Sequence, residues 1–262
     1  MPAEFLPSVI QIARDAGDRI LEIYGTDFDV EHKADESPLT AADLASHKAI
    51  VAGLEALEAD YPILSEESAA IPFAEREAWN PYWLVDPLDG TKEFVKRNGE
   101  FTVNIALIRD HRPVLGVVHV PVTGVTYYAA EGHGAFRRDG DAEPAAIRVS
   151  DSDRTPRVVG SRSHRSDAVN QYLDNLGDHE MVAMGSSLKF CVVAEGGADV
   201  YPRLGLTSEW DTAAAHAVVT GAGGRVVHLD GTDLQYNAKE DILNPHFMVL
   251  GNPTRDWLSY LP

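Results

Sequence analysis

Apolar side chains recur along this chain with two different periods. Near the N-terminus Phe5, Leu6, Val9, Ile10, Ala13, Ala16, Ile20 and Leu21 fall three or four residues apart, and this spacing predicts an amphipathic helix over 4–24. Leu44, Ile50, Val51, Leu54 and Leu57 repeat it and predict a second helix over 41–59, with Ser37-Pro38-Leu39-Thr40 as its start signal. Short β-type runs follow at 61–65 and 82–85. Three more, at 101–108, 113–120 and 125–130, are split by turn signals and predict an antiparallel meander. The second half alternates, with strands at 158–159, 181–184, 200–201 and 247–250 and helices at 167–176, 188–195 and 212–220. Such alternation predicts an α/β lobe. The polar stretch 150–157 is the natural join, which divides the chain into lobes 1–152 and 153–262.

Composition narrows the partners more than the fold. A chain of 262 residues, 44% of them hydrophobic, can bury a large core in one or two joined domains. Lys and Arg number 22 against 41 Asp and Glu, a formal net charge of −19. That surface repels a phosphate backbone and argues against polymeric nucleic acid as a partner. A small anionic substrate stays open where bound cations reverse the local sign. Much of the acidity needs no explanation beyond solubility. The single cysteine, Cys191, cannot form an intrachain disulfide, which suits a reducing cytoplasm. It lies in an apolar helical run and reads as a small buried hydrophobe. The first residues lack the basic start and apolar block of a signal peptide, and no apolar run is long enough to span a bilayer, so a cytoplasmic protein without a transmembrane segment is expected.

Candidate chemistry is densest in Trp83-Leu84-Val85-Asp86-Pro87-Leu88-Asp89-Gly90-Thr91. An apolar strand is expected to end at Asp86, because Pro87 has no N–H to donate to a ladder. A turn can then bring Asp89 to the same place as Asp86. Gly90 lets the backbone approach a ligand closely. If Thr91 opens a helix, its N–H and that of Gly90 form an anion site. Two carboxylates beside free amides can hold a hard cation and a phosphate oxygen together, and Mg²⁺ suits such oxygen ligands. The competing explanation is a loop with ordinary turn-forming Asp and Gly, which would suffice for Asp-Gly alone. A phosphatase class built on a nucleophilic Asp two residues before the Asp of Asp-Gly-Thr is excluded by spacing, since Pro87 occupies that position.

Other acids sit in comparable places. Leu64-Ser65-Glu66-Glu67 ends an apolar strand, and strand alternation directs one of the two acids into a site. Asp211, in Trp210-Asp211-Thr212, precedes an alanine-rich helix and would serve as an N-cap. Asp43 has a similar capping context. Singly, each is explained by structure; Trp83 and Trp210 are explained by core packing.

In order and spacing, Ser37 to Asp43, Leu64 to Glu67, Trp83 to Thr91 and Trp210-Asp211 together resemble the inositol monophosphatase superfamily over essentially the whole chain. The resemblance implies a layered αβαβα sandwich of mixed α/β class. It implies that Glu66, Asp86 and the Leu88 carbonyl hold one Mg²⁺, that Asp86, Asp89 and Asp211 hold a second, and that Glu66 helps with a third. It also implies that Thr91 and Asp43 pair to orient and deprotonate the attacking water, that Gly90 and Thr91 bind phosphate, and that lithium inhibits. Little covalent chemistry would be left for the protein beyond positioning and charge neutralisation.

Other segments are similar to one branch, the CysQ-type nucleotidases. They are Lys92-Glu93-Phe94, Lys96 to Leu107, Ser161 to His164, Gly185 to Phe190, Ala198 to Arg203 and Thr207 to Asp211. By that likeness His164, Ser186, Lys189, Arg203 and Glu209 contact substrate. Lys189 and Arg203 would neutralise a 5'-phosphate, Arg203 through a bidentate fork. The expected reaction is hydrolysis of 3'-phosphoadenosine 5'-phosphate, a nucleotide bisphosphate, to AMP and phosphate. The rivals are an inositol or other sugar phosphatase and a silent metal-dependent nucleotide-binding protein. Oligomeric state is left open, with a monomer slightly favoured.

Overall fold

The computed structural model describes residues 1–26, 30–32, 38–68, 70–152, 154–160 and 166–262. A 3-10 turn, Pro2–Phe5, leads into α1 (Leu6–Tyr24). The hairpin β1 (Val30–His32) and β2 (Pro38–Thr40) precedes α2 (Ala41–Glu55), β3 (Ile63–Ser65) and the short α3 (Phe73–Arg76). Then come β4 (Tyr82–Asp89), α4 (Thr91–Val95), β5 (Thr102–Arg109), β6 (Arg112–Val120), β7 (Val125–Ala130), β8 (Gly134–Asp139) and β9 (Ala145–Ile147). The second half holds β10 (Arg157–Gly160), α5 (Asp167–Leu176), β11 (Glu180–Ala183), α6 (Leu188–Ala194), β12 (Val200–Arg203), α7 (Ala213–Gly221), β13 (Arg225–His228) and β14 (Phe247–Leu250), followed by a 3-10 turn, Trp257–Tyr260.

Strands β3 to β9 form one seven-stranded sheet in chain order, parallel only at β3–β4. The second sheet has five strands in the order β11-β10-β12-β14-β13, parallel at β10–β11 and β10–β12 and antiparallel elsewhere. The first sheet ends at Ile147 and the second begins at Arg157. Helices α1 and α2 cover one face of the first sheet, and α6 and α7 lie between the two sheets. α5 and the last 3-10 turn cover the outer face of the second. The order of layers is αβαβα. Among the described residues no helix is long and apolar enough to cross a membrane.

Burial on both faces explains why the central strands read as unbroken apolar runs. Trp83, Val85, Val103, Ile105, Leu115 and Val117 pack toward α1 and α2, whereas their neighbours Tyr82, Leu84, Ala106 and Val118 pack toward α6 and α7. Period-two alternation thus survives in which core each residue joins, not in polarity. Helix α7 approaches β6 so closely that a Cβ at Gly116 would lie 2.1 Å from the Ala214 carbonyl oxygen.

Several expectations change. The meander is the middle of a longer sheet, because β3 and β4 extend it on one side and β8 and β9 on the other. β13 also went unpredicted. The second helix stops at Glu55, short of 59. Pro87 does not end its strand: pairing with β5 runs to Asp86↔Asn104, skips Pro87 and Leu88, and resumes at Asp89↔Thr102. A bulge absorbs the missing donor and leaves the strand intact.

Candidate active site

The bulge is what brings the motif's acids together. Asp86 is buried and accepts from Leu88 N (3.1 Å) within its own turn. Outside the turn, Ser46 on α2 donates to the Pro87 carbonyl at 2.6 Å, fastening α2 to the bulge. His47 on the same helix meets Ser65 at the end of β3 (2.9 Å). The first turn of α2 carries Asp43, also buried. Glu66 follows β3, and its N–H donates to Val85 O (3.1 Å).

Three carboxylates, from Asp86, Asp89 and Asp211, offer oxygens within 4.8 Å of one another. Burial pushes the Asp86 carboxyl well above its ordinary range, and the charges of Glu66, Asp89, Asp211 and Asp43 push it further. Asp211 is raised to about 8 by burial and by the charge of Asp89, with Glu66 adding to the rise. Burial raises Asp89 as well, against the pull of Lys189 and of hydrogen bonds from Ser187 and Asn104. Five acids from distant parts of the chain therefore feel one another. Like charges in one buried place are relieved by protons or by a bound cation, and an all-oxygen donor set fits a hard divalent one. Of the neighbouring pair, Glu66 acts on these acids while Glu67 acts on His47; both lie in the turn after β3, where strand alternation no longer applies.

Asp89 and Asp211 are held by a residue that the sequence reading missed. Ser187 donates its N–H to Asp89 Oδ2 (2.5 Å), and its hydroxyl lies 2.8 Å from that oxygen and 2.6 Å from Asp211 O. Asn104 on β5 supports the same hydroxyl at 3.0 Å. Ser186, at φ +39°, turns the chain so that Ser187 faces the acids; a non-glycine residue held there costs about 1–3 kcal/mol. Two adjacent serines carry no signal as to which does this. Asn104 had one, a lone amide in a mostly apolar strand.

Gly90 at φ +92° caps α4, and a Cβ there would lie 3.3 Å from both Glu100 O and Ser186 Cβ. Thr91 heads α4 as its first residue. Beside them opens a cavity of about 190 Å³ lined by Asp89, Gly90, Ser186, Lys189, Arg203 and Asp211 among others. Lys189 Nζ donates to Ser186 O (3.1 Å) and lies 5.9 Å from the centre of the Tyr201 ring. Burial lowers its pKa, opposed chiefly by Asp89. Arg203 donates through Nη2 to Leu206 O (2.5 Å), and its buried Nε has no hydrogen-bond partner among the described residues. The lining therefore carries both signs, with Lys189 and Arg203 beside Asp89, Glu93 and Asp211.

One expected substrate contact is not brought here, and another is not among the described residues. His164 lies outside the described residues, with the rest of 161–165. Glu209 is fully buried and does not line the cavity; its carboxylate accepts from Asn237 N (2.7 Å) and lies 3.8 Å from Lys239 Nζ. Glu209 and Asp211 belong to one turn, yet their side chains have different surroundings. A larger cavity of about 450 Å³, between the β5–β6 hairpin, α7 and β13, contains none of the predicted site residues.

The profile of the Inositol monophosphatase family matches residues 1–255. The 3'(2'),5'-bisphosphate nucleotidase CysQ of Salmonella typhimurium is 52% identical over 246 residues, covering 93% of this chain and 98% of that protein. Its Escherichia coli K12 counterpart is 53% identical over the same length and shares. The crystal structure of CysQ from Bacteroides thetaiotaomicron superposes with a TM-score of 0.83 at 42% identity, covering 96% of this chain and 98% of that one.

Proposed function

The chain belongs to the inositol monophosphatase family, and from that membership and the two-signed cavity we propose that it hydrolyses 3'-phosphoadenosine 5'-phosphate to AMP and phosphate, with Mg²⁺ as cofactor. One observation carries the reading: acids from both halves of the chain converge beside a cavity that Lys189 and Arg203 also line. A monophosphate needs only the acids and their cations. A bisphosphate also uses Lys189 and Arg203, which favours the nucleotide over inositol monophosphate.

Residues 1–152 supply Asp43, Glu66, Asp86, the Leu88 carbonyl and Asp89, and residues 153–262 supply Asp211, Lys189 and Arg203. Glu66, Asp86, Leu88, Asp89 and Asp211 would hold two or three ions. When bound, the ions lower the pKa of water and stabilise charge on the attacking and leaving oxygens. Asp43 would accept from the Thr91 hydroxyl, and the pair would orient the water for in-line attack and take up its proton. The amides of Gly90 and Thr91 hold the 3'-phosphate. Lys189, Arg203 and Ser186 hold the 5'-phosphate, with His164 beside the nucleoside. Ser187 keeps Asp89 and the Asp211 backbone in register throughout.

The test is phosphate release from 3'-phosphoadenosine 5'-phosphate and from inositol 1-phosphate, with Mg²⁺ supplied or chelated. A strong Mg²⁺-dependent preference for the nucleotide is expected. Preference for the inositol ester would overturn the substrate, and turnover without divalent cation would overturn the mechanism.

A further inference from the structure

Glu209 is a charged side chain with no exposed surface, and burying a carboxylate costs several kcal/mol unless its surroundings compensate. Its surroundings form a clasp between the two halves of the chain. Glu209 Oε2 accepts from Asn237 N (2.7 Å), and Asn237 is itself held at φ +51°. The Asn237 side chain meets Arg76 of α3 in both directions, accepting from the guanidinium and donating to Arg76 O (2.6 Å). Arg76, also buried, donates in addition to Glu240 O (2.5 Å). Lys239 lies 3.8 Å from Glu209 Oε1 and donates to the carbonyls of Asp241 and Leu243. The same loop grips the turn before α7 at three more points: Glu209 N donates to Ile242 O (2.9 Å), Asn244 N to Thr207 O (2.7 Å), and Asn244 Nδ2 to Ser208 O (2.8 Å).

That turn carries Asp211. Asp211 accepts from Ser208 N (2.9 Å) inside the turn, so the position of its carboxylate follows the position of the turn. Arg76 lies between β3, which leads to Glu66, and β4, which carries Asp86. The clasp therefore ties the acid contributed by the second half to the segment joining two acids contributed by the first.

We propose that Glu209 is a positioning residue for the metal site: through Asn237 and Arg76 it sets where Asp211 stands relative to Glu66 and Asp86. The inference rests on Asp211 being a metal ligand. It assigns Glu209 no contact with substrate. Replacing it should loosen the cation site and leave the cationic lining of the cavity intact, since Lys189 and Arg203 take no bond from the clasp.

The experiment is calorimetric titration of the substrate-free protein with Mg²⁺ for Glu209→Gln, Glu209→Ala and Asp211→Asn, paired with KM for 3'-phosphoadenosine 5'-phosphate at saturating Mg²⁺. Loss of a residue that orients a metal ligand typically weakens affinity by about 10–100-fold, and Glu209→Ala should do so with KM unchanged. Glu209→Gln retains an acceptor for Asn237 N and should recover most of the affinity. Should Glu209→Ala prove too unstable to titrate, Lys239→Met removes the half-exposed partner instead and should weaken Mg²⁺ binding in the same direction. Wild-type Mg²⁺ affinity in Glu209→Ala, or in Lys239→Met where that variant stands in, overturns the proposal. So does a raised KM with metal binding intact, which would make Glu209 a substrate contact. If Asp211→Asn alone loses affinity, the clasp idea fails while Asp211 remains a ligand; if Asp211→Asn binds normally, the ligand assignment itself fails.

Discussion

Asp86 is the residue on which the other acids bear most. Four carboxylates raise its pKa, and its own turn supplies a single hydrogen bond, from Leu88 N. Asp86→Asn keeps the shape and removes the charge, so it should fold and lose turnover by about 10²–10³-fold, the scale of a lost transition-state stabiliser. Near-normal turnover would remove Asp86 from the centre of the mechanism. Lys189 makes a different prediction, because it lines the cavity and feels the charge of Asp89 without joining the acid cluster. A charge-assisted hydrogen bond contributes about 1.5–3 kcal/mol, roughly ten- to a hundredfold in KM. Lys189→Ala should raise KM for the bisphosphate on that scale and hardly affect a small phosphate monoester such as p-nitrophenyl phosphate. Equal losses on both substrates would make Lys189 structural. At this scale the acids were legible in the sequence, since Asp86 and Asp89 stand at an apolar strand's end. Ser187 was not: its role depends on the turn at Ser186, which no local pattern announces.

Elements set how far these side chains can move. α7 starts two residues after Asp211 and lies against β6 at Gly116, where the Ala214 carbonyl occupies the space of a Cβ. Gly116→Ala must push the helix away from the sheet. Overpacking of this kind costs about 1–3 kcal/mol, and the displaced helix would carry Asp211 with it. Lower melting temperature together with weaker Mg²⁺ activation is expected, measured by thermal denaturation and a Mg²⁺ titration of rate. A stability loss with unchanged Mg²⁺ activation would show that the turn before α7 is held independently of the helix. The long apolar elements, α1 and β5 to β7, were readable because their periods are strong. β8, β9 and β13 were not, since β8 mixes charge into six residues, β9 is three residues long and β13 four. The strand through Pro87 was misjudged for a local reason: proline forbids a donor, and only pairing on the far side shows that a bulge accommodates it.

For the whole molecule, charge and pH are the measurable consequences. Without divalent cation, Asp211 holds its proton up to about 8, far above the ordinary carboxyl value of 3.8, and Asp86 and Asp89 are raised too. The folded state then binds protons that the unfolded chain has released, so the stability they contribute is lost as pH rises through the folded values. Buried His119 and His216 act oppositely, each lowered to about 4 by burial; the stability they provide is present above 6.5 and lost as pH falls toward 4. Between pH 6.5 and 8 the histidines are silent. Cation-free protein should lose stability across that interval by up to about 1.4 kcal/mol per pH unit for each proton released. Glu209, held at about 7 chiefly by burial, adds to this slope with or without cation. Mg²⁺ should flatten the remainder, as read from melting temperatures with and without the ion. Identical slopes in the two series would mean that Mg²⁺ does not occupy the acid cluster.

Hydrophobic periodicity determined by itself that this chain would build helices at its N-terminus, a sheet in its middle and an alternating second half. Motif residues placed acids at the ends of those elements. Which acids meet, that Glu209 turns away from the cavity, and that Ser187 and Arg76 serve the site from far along the chain were decided only by tertiary structure. The reason is physical: periodicity reports which face of an element is buried, whereas contacts between Asp211 and Asp86, or between Arg76 and Asn237, depend on how layers stack, and residues 125 and 161 positions apart share no local pattern.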